Sequence, residues 1–169
     1  MKKLKLGVSS GLLGESVRYN GEHKRDSTVI DLLGQQFEAV PVCPEVELGM
    51  GVPREPVRLV ANDASSERMV GSESGKDWTQ AMVDFNSIKL EALRQQNLSG
   101  FIFKSRSPSC GPGNVPLHHE QEKSSTVGLF AHALMQYFPS LPVIDEEALQ
   151  DEIVRQDFVA RVIQYGEKV

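Results

Sequence analysis

Cysteine is scarce in this sequence. There are two, Cys43 and Cys110, in 169 residues. Two cysteines cannot build the disulfide framework of a small secreted domain. In a reducing compartment they are free thiols, metal ligands or catalytic groups. Long apolar runs are also missing, so neither a membrane span nor a signal peptide is readable, and a cytoplasmic protein is the default expectation. A basic excess is absent: 18 Lys and Arg stand against 23 Asp and Glu, for a net charge of −5. With no basic stripe either, this argues against a nucleic-acid partner. No internal repeat or low-complexity segment breaks the chain. Its length fits a single domain, residues 1–169, with a sizeable core. Oligomeric state is not readable.

The chemistry-bearing residues lie where strands empty into loops. The apolar run Leu98–Phe103 reads as a buried strand. It runs into Lys104-Ser-Arg-Ser-Pro-Ser-Cys-Gly-Pro-Gly-Asn-Val115. Pro108 and Pro112 stiffen this loop, and Gly111 and Gly113 allow backbone paths a side chain forbids. Cys110 thereby sits in a rigid setting near three serines, Lys104 and Arg106. A second strand, Phe37–Cys43, empties into Cys43-Pro-Glu-Val-Glu. Glu45 lies two residues from Cys43, and a carboxylate there suits general acid–base work if burial raises its pKa. The first strand, Lys3–Ser9, ends in Ser9-Ser-Gly-Leu-Leu-Gly14. The glycines there fit neither a Walker loop nor a dinucleotide fingerprint. Arg18, Tyr19, His23, Lys24 and Arg25 follow. They read either as a solvated loop or as the wall of a pocket for an anion or heterocycle.

The remaining elements follow from periodicity and caps. Asp26 or Ser27 caps a helix over 28–33, which with its flanking strands makes a βαβ unit and a parallel pair. Val57–Val60 and Arg68–Val70, joined by Asn62–Ser66, predict a small hairpin. A long helix runs from Asp77 or Thr79 to about Gln96, with Met82, Phe85, Ile88, Leu90 and Leu93 as its core stripe. His118-His119-Glu120-Gln-Glu122 does not have zinc-ligand spacing, and adjacent residues do not share a helix face. Ser124 or Ser125 is expected to open a helix through Phe138. Leu141–Ile144 reads as a last short strand. The tail from Glu146 to about Gly166 reads as one or two helices packing through Ile153, Phe158, Val159, Val162 and Ile163. In a parallel sheet the three strand-end loops share one edge and converge.

Several stretches together resemble the thiouracil desulfurase family, formerly a domain-of-unknown-function family. They are Val8–Gly14, Val17–Gly21, Pro41-Val-Cys-Pro-Glu45, Gly51–Pro56, Lys104–Gly111 and Gly128–Ala131. The resemblance runs from near residue 7 to about residue 131. It implies a three-layer α/β/α, Rossmann-like fold with a mostly parallel sheet of about four strands, and an enzyme whose substrate is a small thiolated pyrimidine. It also implies a 4Fe-4S cluster with one open iron that takes the thiocarbonyl sulfur, releasing hydrosulfide without net redox change. By motif, Cys43 and Cys110 would be cluster ligands, Glu45 the acid–base group, and Ser107 a hydrogen-bond donor to substrate or water. Arg18, Tyr19 and Lys104 would line the substrate pocket. Some members continue past a segment like Phe158–Val162 into a helical domain.

This chain departs from the family pattern at one ligand position. Gly11 stands where the motif has its third cysteine, and glycine cannot ligate iron. Three accounts are open: a ligand supplied by a small thiol or another residue, loss of the cluster with retention of the pocket, or a change introduced at this position. A rival reading from another class is a cluster-free binding module that holds a small anion or nucleobase with the Arg18–Lys24 loop and the glycine-rich turn. A third is a structural α/β domain serving a helical partner.

Overall fold

The computed structural model describes residues 3–61, 67–119 and 123–168. In chain order the first half contains β1 (Leu4–Ser9), α1 (Ser27–Gln36), β2 (Phe37–Val42), the short α2 (Pro44–Glu47), β3 (Val57–Ala61) and β4 (Glu67–Gly71). The second half contains α3 (Thr79–Arg94), β5 (Leu98–Phe103), β6 (Val115–His118), β7 (Lys123–Thr126), α4 (Leu129–Tyr137), β8 (Val143–Asp145) and α5 (Glu152–Glu167).

The sheet that positions the site is parallel throughout, in the order β2–β1–β5–β8. Pro41 is tolerated in β2 because that strand is an edge. Side chains alternate across the sheet. Leu6, Val8 and Ile102 point to one face, where they pack with Val29 and Leu32 of α1 and Phe158 and Val162 of α5. Phe101 and Phe103 point to the other, against Met82, Leu90 and Leu93 of α3 and Phe130 and Leu134 of α4. The result is helix, sheet, helix, as the βαβ pattern predicts. Phe101 and Phe103 stack at 4.3 Å between centroids. Burying side chains of this size contributes about 1.5–3 kcal/mol each. Gly7 makes room for them: a Cβ there would sit 2.3 Å from the Phe101 ring.

The expected hairpin is half of a larger structure. β3 and β4 pair antiparallel, but β3 also pairs in parallel with β6, and β6 antiparallel with β7, giving a second four-stranded sheet in the order β4–β3–β6–β7. Its inner residues Val57, Leu59, Met69, Val115 and Leu117 join the core on the α3–α4 side. The helix expected from Ser124 or Ser125 is corrected by this sheet. Those serines pair with Leu117 and Pro116, and the helix begins at Leu129. Their capping propensity is a local preference, and the ladder with β6 overrides it.

Two helical faces also differ from expectation. The buried residues of α3 are Met82, Asn86, Leu90 and Leu93; Ile88 lies off that stripe and is 75% exposed. Along α5, Phe158 and Val162 are buried, whereas Ile153 is 78% exposed and Ile163 38%. The tail carries a 3-10 turn (Ala148–Gln150) before α5, whose start is capped by Asp151 through the Ile153 and Val154 amides. Likewise Asp26 caps α1 through the Val29 amide at 3.0 Å. The Asn62–Ser66 link lies outside the described residues. Among the described residues, no helix is long and apolar enough to cross a membrane.

Candidate active site

β1 and β5 are neighbours although β2 to β4 lie between them in sequence, so the sheet reverses its strand order there. Parallel sheets bind ligands at such a switch, outside the carboxyl ends of the strands. The loops after β1, β2 and β5 do converge there, around two adjoining spaces. An inner pocket of about 100 Å³ is lined by Gly11, Cys43, Pro44, Ser109 and Cys110 among others. An outer cleft of about 280 Å³ carries Tyr19, Pro56, Arg106 and Pro108. Arg18, Glu45, Arg54, Lys104 and Ser107 line both, so the two spaces share a wall.

The Cys110 loop is fixed by the start of α4. The first amides of a helix have no partner within it. Here Leu129 N–H donates to the Pro108 carbonyl at 3.0 Å, and Phe130 and Ala131 N–H donate to the Ser109 carbonyl at 2.9 and 3.0 Å. Gly128 N–H reaches the Gly111 carbonyl at 2.8 Å. This approach requires glycine. A Cβ on Gly128 would lie 2.6 Å from the Ser109 carbonyl group, and one on Gly111 would lie 2.4 Å from Val115. Within the loop, Cys110 N–H donates to Ser107 Oγ at 3.0 Å. Cys110 itself is buried, and burial pushes its thiol up to about 12 against a smaller opposing effect from the Ser9 hydroxyl.

Cys43 follows β2 and caps the start of α2. Its amide donates to Glu47 Oε2 at 2.8 Å, and Lys89 Nζ of α3 holds the other Glu47 oxygen at 2.6 Å. Burial raises its thiol above the ordinary value. Glu45, two residues on, lines the shared wall. Arg54 approaches Glu45 Oε1 at 3.3 Å, and Ser109 Oγ donates to Oε2 at 2.9 Å. Ser107 Oγ lies 3.1 Å from Ser109 Oγ. A chain of polar atoms thus runs from Ser107 through Ser109 to the carboxylate.

The rim is basic but internally balanced. Lys104 Nζ lies 3.2 Å from Glu146 Oε2, and Arg106 pairs with Glu147. Ser105 is tied to both acids: its N–H and Oγ donate to Glu146 at 2.5 and 2.9 Å, and its Oγ contacts Glu147 at 2.9 Å. Arg18 and Tyr19 form the opposite rim, and Arg54 N–H donates to the Tyr19 carbonyl at 2.7 Å.

Of the residues singled out from the sequence, Gly11, Arg18, Cys43, Glu45, Lys104, Ser107 and Cys110 meet in the inner pocket, and Tyr19 lines only the outer cleft. His118 and His119 are exposed at the end of β6; Glu120–Glu122 lie outside the described residues. Arg54, Glu146 and Glu147 were not among the residues singled out, and Ser109 was noted only as one of three serines near Cys110. Arg54 and Ser109 lie inside the quoted motifs Gly51–Pro56 and Lys104–Gly111, so their signal was present without a role. Glu146 carried no local signal.

Comparison with known proteins gives the same assignment. The sequence profile of the 2-thiouracil desulfurase family matches residues 6–146. The uncharacterized protein YbbK of Bacillus subtilis is 33% identical over 112 residues, which is 64% of this chain and 74% of that protein. A solved structure of a 4Fe-4S-dependent thiouracil desulfidase, TudS, superposes with a TM-score of 0.69 at 29% identity, over 92% of this chain and 99% of that one. On a match that runs from β1 to the end of the parallel sheet, this chain belongs to the 2-thiouracil desulfurase family.

Proposed function

We infer that this chain removes the sulfur of a small thiolated pyrimidine, of the 2-thiouracil kind, as hydrosulfide. The supporting observation is the meeting of Cys43, Cys110, Glu45 and Ser107 at the sheet's switch point, in a pocket that adjoins an outer cleft. The net change is hydrolytic. Water supplies the oxygen that replaces sulfur on the ring carbon, and its two protons leave with the sulfur or pass to solvent. Glu45 is the carboxylate placed to move those protons. Ser109 and Arg54 hold its two oxygens, and Ser107 has a hydroxyl to offer the ring or the water. Arg18, Tyr19 and Lys104 form the walls that would seat the heterocycle. Tyr19, 38% exposed, offers a face for stacking.

The family neighbour depends on a 4Fe-4S cluster, and the donor set here falls short of one. Such cubanes are held by cysteine thiolates at their irons. This chain's inner pocket contributes two, and among the described residues no group of three His, Cys, Asp or Glu is gathered. Glu45 is engaged by Arg54 and Ser109. The residues of this chain alone therefore do not complete the cluster, and Gly11 is expected to lower both its retention and the rate.

The shortfall favours a second reading, a cluster-free module that binds a nucleobase or small anion in the same cleft. Anaerobic assay of hydrosulfide release from 2-thiouracil separates the two. The enzyme reading expects release that falls at least about a hundredfold in Glu45→Gln, the scale of acid–base catalysis, and vanishes in Cys110→Ala. Release unchanged by both substitutions would refute the site. Pyrimidine binding by metal-free protein with no release would establish the module.

A further inference from the structure

Resting on the nucleobase-binding reading, we propose that a pyrimidine ring seats in the inner pocket itself, its lactam edge toward Glu45 and Ser107, and that Gly11 sets which ring substituents fit.

The hydrogen bonds along the Ser107–Ser109–Glu45 chain define the edge that is recognised. A carboxylate offers about four acceptor sites. Arg54 Nε and Nη2 both donate to Glu45 Oε1 at 3.3 Å, and Ser109 Oγ donates to Oε2 at 2.9 Å. One acceptor site is left, on Oε2. Ser107 Oγ already accepts from the Ser109 and Cys110 amides at 3.3 and 3.0 Å, so what it has left to give is its proton. One acceptor beside one donor matches a ring N–H next to a carbonyl or thiocarbonyl, the lactam edge of a pyrimidine base. Val17, Val42 and Pro44 line the same pocket and supply apolar surface for the ring faces. The pocket measures about 100 Å³, against roughly 150 Å³ for a sealed cavity that takes a whole benzene ring. It is not sealed: among its lining residues Lys24 is exposed, and Val17 and Arg18 are half-buried. A ring therefore enters by one edge and leaves the other toward solvent.

Gly11 lines this pocket with space to spare. A Cβ built on it meets nothing closer than 3.9 Å, from the Lys24 amide nitrogen and Val17 Cγ2. That is ordinary van der Waals contact, so a methyl-sized group fits the corner whether it belongs to the protein or to a ligand. The Gly11 backbone is not in the left-handed region, so its conformation does not require glycine. The turn is independently held, since the Gly11 carbonyl accepts from Gly14 N–H at 3.2 Å and Lys24 N–H at 3.1 Å. Unlike Gly111 and Gly128, Gly11 serves no close approach of backbones. The room it leaves is available to a substituent on the bound ring.

The test reads binding rather than turnover. Full-length protein and its Gly11→Ala and Gly11→Leu variants, purified with chelator present, are titrated calorimetrically with uracil, 5-methyluracil, 6-methyluracil and 1,3-dimethyluracil. The parent protein is expected to bind uracil and at least one of the two C-methylated rings with comparable affinity. 1,3-Dimethyluracil has lost both ring N–H donors and is expected to bind at least about tenfold more weakly. Gly11→Ala is expected to weaken the accepted C-methylated ring about tenfold, the scale of one methyl group in a filled pocket, and to leave uracil unchanged. Gly11→Leu, folded by circular dichroism, is expected to weaken every ring; should it not fold, Gly11→Ala decides. Uracil is also expected to slow iodoacetamide labelling of Cys43, which lines the same pocket. Rejection of both C-methylated rings by the parent protein, or affinities indifferent to the Gly11 substitutions, would overturn the proposal. Binding that leaves Cys43 labelling unchanged would put the base in the outer cleft and overturn it too. In each of these cases the nucleobase-binding reading survives. Absence of binding for every pyrimidine would overturn both.

Discussion

Two neighbouring loops at the same sheet edge are built in opposite ways. The loop after β5 is tied at several points: α4 amides hold its carbonyls, Glu146 holds its start, and two glycines let backbones touch. The turn after β1 has two backbone bonds to the Gly11 carbonyl and open space where a side chain would go. One loop presents a thiol in a fixed place; the other presents a vacancy. Glycine thus means different things in the two loops, a packing necessity at Gly128 and open space at Gly11.

The contrast is sharpest in thiol reactivity. With the Cys110 thiol near 12 in place of 9.0, its thiolate fraction at pH 8 falls about a thousandfold. Cluster-free native protein should therefore label Cys110 slower than denatured protein by at least that factor, and Cys43, which is only half-buried, should label first. Peptide mapping after a timed exposure to iodoacetamide checks the order; equal rates would break the contrast. Next in size, Gly128→Val should destabilise by about 3 kcal/mol, the upper range for overpacking, because its Cβ meets the Ser109 carbonyl group. A urea midpoint unchanged from the parent would show that α4 and the loop can part freely.

Smaller effects test the same division. Glu146→Ala leaves the buried Ser105 N–H without its acceptor, a loss of about 2 kcal/mol. Gly11→Ala should instead leave the urea midpoint unchanged or raise stability by about 0.5 kcal/mol, since only the unfolded chain loses freedom. A destabilised Gly11→Ala would show that the vacancy is structural. Finally, a thiol raised on folding stabilises the protein fully below its unfolded pKa. That contribution is lost as pH rises through the folded value. Stability should fall between pH 9 and about 12, and Cys110→Ala should flatten that fall, as urea titrations at each pH would read.

The three converging loops were legible because strand-end chemistry is encoded locally: apolar runs of strand length, each followed by Ser, Pro, Gly or Cys. The second sheet was not. β6 and β7 are four residues each, and Pro116, Ser124 and Ser125 carry turn or cap propensity in isolation. The β3 partner, more than fifty positions earlier in the chain, selects the extended state of β6, and β6 in turn selects that of β7. Glu146 was invisible for the same reason. Its role depends on β8 pairing with β5, which brings it to Ser105 across the sheet.

By itself the sequence determined the parallel α/β architecture, the positions of both thiols and Glu45, the absence of a thiol at residue 11, and the family. Periodicity and motif are properties of consecutive residues and need no partner. Tertiary structure alone decided that Glu45 is held between Arg54 and Ser109, and that α4 supplies amides to the Cys110 loop. It also decided that the space at Gly11 is open rather than filled. Those are distances between residues far apart in the chain, fixed only when packing brings their elements together.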